Sequence, residues 1–157
     1  MSVVRYINYE NRLAKQITAP GGKHVEAALA DAEEGLKSLA LPLLAEIDNR
    51  LAMLASVGED AGHEPRTEDV EAVYGNAREI AGLAGYCGMD EVGAAAVSLC
   101  NLLDRSRATG RWHGEGMRVH VATLRLLREK GGEIDPQTRV TVLKRLEVMV
   151  EKIAAGA

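Results

Sequence analysis

Apolar residues recur at steps of three and four along most of the chain, which is the spacing of one face of an α-helix. The longest such stretch contains Pro42, which removes a backbone donor and should bend the helix. Its stripe stays in phase across the proline, which favours a kink over a division into two collinear helices. The pattern predicts one long amphipathic helix with apolar positions at Val25, Leu29, Ala32, Leu36, Leu39, Leu43, Ile47, Leu51 and Leu54.

A second and a third periodic segment follow a polar linker over residues 58 to 66. Thr67 resembles an N-cap, and the acidic residues after it suit a first turn, so the second helix should begin near Glu68. Gly88 is well placed to end that helix. Asp90 is expected to cap the third helix.

A fourth helix should stop at Gly131-Gly132, and Asp135-Pro136 predicts the cap and first position of a fifth. No segment shows strand alternation. The predicted fold is all-α: an antiparallel four-helix bundle with an additional C-terminal helix. Residues 1–22, which end in a helix-breaking Pro-Gly-Gly run, are predicted to form an extended N-terminal arm, and residues 23–157 a single domain.

Composition narrows the functional classes. The formal net charge is −4, and the basic residues are scattered, so we expect no binding to nucleic acid or to a membrane surface. With no apolar run of roughly 20 residues and no signal-peptide pattern, we expect a soluble, cytoplasmic protein. Cys87 and Cys100 are interpreted as buried thiols on apolar helix faces. Without a CxxC or HExxH motif, no metal site or other cofactor is expected.

The most informative segment places Gly82 and Gly85 inside the second predicted helix. An interior glycine costs roughly 1 kcal/mol relative to alanine, so something should compensate. One interpretation is close packing of a neighbouring helix against a smooth patch that also includes Ala81 and Ala84. The other is open space on an exposed face for a partner protein.

This segment resembles the histidine-phosphotransfer (Hpt) domains of bacterial two-component signalling. Those domains carry a His followed four residues later by Gly and ten residues later by another Gly, usually with Lys before the first. Gly82 and Gly88 match the two glycines, which puts Arg78 at the position of the phosphorylated His and Ala81 at that of the Lys. The resemblance covers roughly residues 20 to 130. It is to a bacterial subgroup of the family, some members of which are linked to chemotaxis clusters.

The departure at Arg78 decides the chemistry that the resemblance implies. A guanidinium stays protonated and offers no lone pair for attack on phosphorus, so Arg78 cannot carry the phosphoryl group. It can still enter the acidic site of a receiver domain. The resemblance therefore implies a non-enzymatic protein that docks a response-regulator receiver or a histidine kinase. The predicted docking surface comprises Tyr74, Arg78, Glu79, Ala81, Gly82 and Gly85.

Two alternatives remain open. The chain is an active phosphotransfer protein if His120 or His113 accepts phosphate, although both lie outside the glycine-flanked helix. The simpler interpretation assigns a hydrogen-bonded structural role to His120 and a loop-packing role to His113. The second alternative is a structural adaptor that dimerises through the surface at Gly82, Gly85 and Gly88. A monomer or weak homodimer is compatible with the sequence.

Overall fold

The computed structural model describes residues 21–59 and 67–155, and regular structure within these ranges is entirely helical. The prediction of an all-α chain is confirmed for this part. The α-helices, in chain order, are α1 (Val25–Glu59), α2 (Thr67–Ala84), α3 (Asp90–Thr109), α4 (Gly114–Lys130) and α5 (Pro136–Ala154), with a 3₁₀ turn at Gly85–Cys87. The predicted arm, apart from its last two residues, and His63 lie outside the described residues.

The chain divides into two compact units, Met1–Ser38 and Leu39–Ala157, with the boundary inside α1. In the described part of the first unit, from Gly21 to Ser38, every side chain is exposed. In the second unit, α3 occupies the central position because it packs against α2, α4 and α5. Helices α4 and α5 also contact each other.

The core of the second unit is built almost entirely from aliphatic side chains. Helix α1 contributes only its C-terminal part, through Ile47, Leu51 and Leu54. Burial of aliphatic side chains is the main favourable term in folding. The largest side chains with less than 2% exposure are Ile47, Leu54, Ile80, Leu99, Leu102, Leu103, Met117, Leu124, His120 and Val73.

The predicted apolar stripe of α1 is buried over only part of its length. Val25, Leu29 and Leu36 remain exposed although their spacing is that of a core-facing stripe. Helix α1 has 35 residues, whereas α3, the longest of the other helices, has 20. A helix that is much longer than its neighbours cannot be covered along its whole face. The helix runs continuously through Pro42, so the division into two helices did not occur.

The predicted helix ends are partly confirmed. Gly88 has a left-handed conformation, with φ 65°, and Met89 N–H donates to Ala84 O at 3.0 Å, as in a Schellman motif. Helix α2 ends at Ala84, so Gly85 lies in the 3₁₀ turn and not inside the helix. The expected cap by Asp90 is wrong: Met89 occupies the N-cap position without a side-chain bond, and Asp90 is the first helical residue.

The cap of α5 is confirmed. The Asp135 carboxylate accepts hydrogen bonds from the backbone N–H groups of Gln137, at 2.9 Å, and of Thr138, and Pro136 opens the helix. The hydroxyl of Thr138 also donates to this carboxylate. These hydrogen bonds, led by the one from the Thr138 hydroxyl, lower the pKa of Asp135.

Candidate functional site

The exposed face of α2 carries the side chain at the centre of the predicted docking surface. Arg78 and Glu79 are exposed, and so is Gly82 one turn further on. Arg78 forms no ion pair or hydrogen bond with the residues that the structure describes. Arg78 is therefore an exposed cation whose hydrogen-bond donors are not used by the described residues.

The glycines of this face border open space. A Cβ atom added to Gly82 or Gly85 would meet nothing within 4 Å, so the interpretation that a helix packs closely on them is wrong. The close approach occurs instead at Gly93 of α3, where an added Cβ would lie 3.4 Å from Ala84 Cβ and 3.7 Å from Ala81 O. The small residues of α2 thus serve two faces: its alanines meet α3, and its exposed glycines meet solvent.

Because Gly82 is helical and unobstructed, replacing it with alanine should stabilise the fold. We expect the free energy of unfolding of Gly82→Ala to rise by about 0.5 to 1 kcal/mol, since alanine loses less backbone entropy in a helix. Gly88→Ala is the matched control, because its positive φ makes an L side chain unfavourable there and should lower stability. Urea denaturation of the two variants measures both. A loss of stability in Gly82→Ala would mean that the site is not open.

Tyr74 is less available than the sequence suggested. It is half-buried, packs against the core, and lies beneath the guanidinium of Arg107 at 4.7 Å from the ring centroid. Arg107 also forms an ion pair with Glu71 at 2.6 Å. Sequence reasoning missed Arg107 because its position beside Tyr74 depends on the register between α2 and α3.

A second group involves the half-buried Cys100 and the exposed Asp104, both of α3. Burial is the main cause that raises the pKa of the Cys100 thiol, and Asp104 raises it further, while Arg78 lowers it. Arg78 and Asp104 therefore act electrostatically on the same half-buried sulfur. A raised pKa keeps the thiol protonated and weakly nucleophilic at neutral pH. Cys100 and Cys87 are both free and half-buried, and Cys87 lies in the 3₁₀ turn, so neither is fully buried as expected.

His120 is completely buried and both ring nitrogens are engaged. Nδ1 lies 2.7 Å from Gly116 O, which can only accept, so this nitrogen carries the proton. Nε2 then accepts from the hydroxyl of Ser98, 3.0 Å away. Burial lowers the pKa of His120, an effect partly opposed by the Gly116 carbonyl. This arrangement agrees with the interpretation of His120 as a hydrogen-bonded structural residue.

His113 occupies the N-cap position of α4 beside Trp112, and both side chains are half-buried. The Nε2 atom of His113 is buried and has no hydrogen-bond partner, and the same holds for Nε1 of Trp112. Trp112 packs against the core. In this conformation neither His113 nor His120 presents Nε2 to a partner protein.

Within residues 21–59 and 67–155, no group of three or more His, Cys, Asp or Glu side chains is placed to hold a metal ion. None of the described helices has the length and apolar character that a membrane span requires. No protein-family model, curated protein or solved structure matches the chain.

Proposed function

We propose that the chain is a phosphorelay-type docking protein: an Hpt-like four-helix bundle that binds a response-regulator receiver domain without carrying phosphate. One observation supports this above the others: Arg78 is exposed on α2, has no partner among the described residues and is followed by open glycine positions. In this proposal the protein acts in the cytoplasm, where receivers are phosphorylated.

The chemistry of the two surfaces is complementary. A receiver presents several carboxylates around a bound divalent cation, and a planar guanidinium pairs with carboxylates through two parallel hydrogen bonds. The missing Cβ atoms at Gly82 and Gly85 leave room for the partner's backbone to approach the helix. Glu79 places a negative charge at the border of the surface. This charge repels carboxylates of the receiver, so it restricts which receivers fit.

The burial of the other candidate side chains favours docking over phosphoryl transfer. Transfer needs a neutral imidazole nitrogen that can reach phosphorus in line with the leaving oxygen. His120 is 0% exposed, and its Nε2 lone pair is engaged by Ser98. Transfer through His120 would therefore require the core between α3 and α4 to open.

The test is the affinity of the purified full chain for each receiver domain encoded in the same genome, measured by isothermal titration calorimetry. For the receiver that binds, we expect Arg78→Glu to weaken binding by about tenfold to hundredfold, since it replaces one or two charge-assisted hydrogen bonds with repulsion. Arg125→Glu is the matched control, because Arg125 is an exposed arginine on α4 and the charge change is identical.

Two outcomes would contradict the proposal. One is equal loss of binding in Arg78→Glu and Arg125→Glu, which would mean that net charge and not the α2 surface governs association. The other is acid-labile labelling of the unaltered protein by a phosphorylated receiver. If His120→Ala abolished this labelling, the active-transfer alternative would replace docking.

A further inference from the structure

Helix α5 is the least buried of the three helices that pack against α3. Of the nineteen residues described for α5, Leu146 and Val150 alone are buried, and Leu143, Met149 and Ile153 pack only partly against the core. The shorter helix α4 has six buried residues. Within one protein, segments with few buried apolar side chains open with a smaller free energy than the core does. Burial therefore indicates that α5 opens more easily than its neighbours.

The contact between α3 and α5 is incomplete. A cleft of about 870 Å³ runs between the two helices, and among the residues that line it are Ser98 of α3 and Leu143 and Val150 of α5. Near the start of both helices, the guanidinium of Arg139 forms an ion pair with Glu91 at 2.6 Å. Because partly exposed ion pairs contribute little to stability, this pair fixes the position of α5 more than it strengthens the contact.

Helix α5 lies against both hydrogen-bond partners of His120. Ser98, whose hydroxyl donates to Nε2, lines the cleft. Gly116, whose carbonyl oxygen accepts from Nδ1, lies close to α5, because a Cβ atom added to it would be 3.4 Å from Ile153 Cδ1. The three hydrogen-bonded residues belong to α3 and α4. The pair of Ser98 with His120 is therefore covered by α5 but does not use α5 for its hydrogen bonds.

From these contacts we infer that α5 is a cover that opens separately: it leaves α3 and α4 while these helices and α2 stay folded, and its departure exposes Ser98 and Gly116 to water. The hydrogen bonds from Ser98 to His120 and from His120 to Gly116 remain in the open form, because α3 and α4 still pack against each other. The open form thus differs from the closed form by the exposure of α3 and α4 and not by a rearranged core.

The open form makes available a surface that the closed form hides, namely the sides of α3 and α4 that face α5. Water reaches the Ser98 side of the pair in this form. The Nε2 atom of His120 is still not presented to a partner protein, because the Ser98 hydroxyl continues to donate to it. Arg78 lies on α2, so neither the inference nor its test depends on the proposed docking function.

The reactivity of buried cysteines toward a soluble thiol reagent tests the cover in the full chain, in a background with Cys87→Ser and Cys100→Ser. Three single variants are compared: Val150→Cys on α5, Ser98→Cys beneath α5, and the matched substitution Val73→Cys on α2, where Val73 is 0% exposed. Each labelling rate is divided by the rate of the same variant in concentrated urea. We expect the first two variants to react at least about tenfold faster than Val73→Cys on this scale.

The dependence of these rates on urea decides whether the opening is local, because its slope grows with the surface that the opening exposes. For Val150→Cys and Ser98→Cys we expect a slope above zero and below that of Val73→Cys. A slope equal to that of Val73→Cys would mean that α5 unfolds only with the whole domain. A slope of zero would mean that the thiols react without any opening. A slope for Ser98→Cys that matches Val73→Cys, with a smaller one for Val150→Cys, would show that α5 does not cover the pair. Each of these three results overturns the inference.

Ile80→Val separates the local opening from global unfolding. Ile80 is completely buried in α2, and the loss of one methyl group there weakens the closed and the open form alike relative to the unfolded chain. It should therefore speed the labelling of Val73→Cys by about threefold to tenfold and leave that of Val150→Cys within about twofold of its original rate. Equal acceleration of both variants would contradict a separate opening of α5.

Amide hydrogen exchange of the unaltered full chain, followed by mass spectrometry, needs no substitution and decides the question if a cysteine variant does not fold. Peptides from α5 should exchange through an opening that depends weakly on urea, whereas peptides from α3 should exchange through global unfolding. Equal protection and equal urea dependence in α3, α4 and α5 would overturn the cover.

Discussion

Replacing Leu99 with alanine is expected to lower the free energy of unfolding by about 3 kcal/mol. Leu99 is completely buried in α3, the helix that packs against α2, α4 and α5. Truncation there removes apolar contacts and leaves a cavity that rigid helices on several sides cannot fill. Since small domains are stable by only about 5 to 15 kcal/mol, this change takes a large share of the total.

Leu126→Ala on α4 is the control for this prediction, because Leu126 is 46% exposed. The same loss of side-chain atoms should cost well under 1 kcal/mol there. Chemical denaturation followed by circular dichroism measures both variants. The comparison is valid when the free energy of unfolding depends on denaturant concentration with a similar slope in each. Equal destabilisation by the two variants would show that the core is not centred on α3.

Acidification below about pH 6.5 is expected to destabilise the protein through His120. Burial lowers the pKa of His120 in the folded state. As the pH falls, His120 therefore binds a proton in the unfolded chain before it does so in the folded chain. The contribution of His120 to the free energy of unfolding is therefore complete above the ordinary histidine pKa. It decreases as the pH falls toward the pKa of the folded state. One such group gives a slope of at most about 1.4 kcal/mol per pH unit.

The measurement is the free energy of unfolding at several pH values between 7.5 and 5, above the range in which most carboxylates titrate. His120→Gln should be less stable at pH 7.5, because it disturbs the bonds to Ser98 and Gly116, yet its stability should depend less on pH. His24→Gln is the control of matched composition, because His24 is exposed and lies outside the core. An unchanged slope in His120→Gln would assign the acid sensitivity to other groups.

The helices followed from periodicity because each needs an apolar face that recurs every three to four residues. The ends were predictable where one residue acts alone, as with the left-handed glycine at Gly88 and the carboxylate cap at Asp135. Asp90 was misassigned because a cap depends on backbone angles, which composition does not determine. The exposure of Val25, Leu29 and Leu36 could not be predicted, since they belong to the same residue types as the buried positions that follow in the helix.

For the candidate site, the exposure of Arg78 follows from its position opposite the apolar stripe of α2. The surroundings of Tyr74 do not follow, because Arg107 reaches its ring across the α2–α3 contact. The electrostatic effect of Arg78 on Cys100 depends on the same contact. Periodicity assigns a residue to a face of its own helix, whereas these pairs are set by how far one helix slides along another.

The open glycine positions of α2 and of the 3₁₀ turn after it have a consequence for the evolution of this chain. Because atoms added at Gly82 or Gly85 would meet no neighbouring atoms, most mutations there leave the interior packing intact. In the proposed docking function, recognition at this face can therefore change through single substitutions that leave the core untouched. The residues at Gly93 and Gly116, where added atoms would meet neighbouring side chains or backbone, have no such latitude.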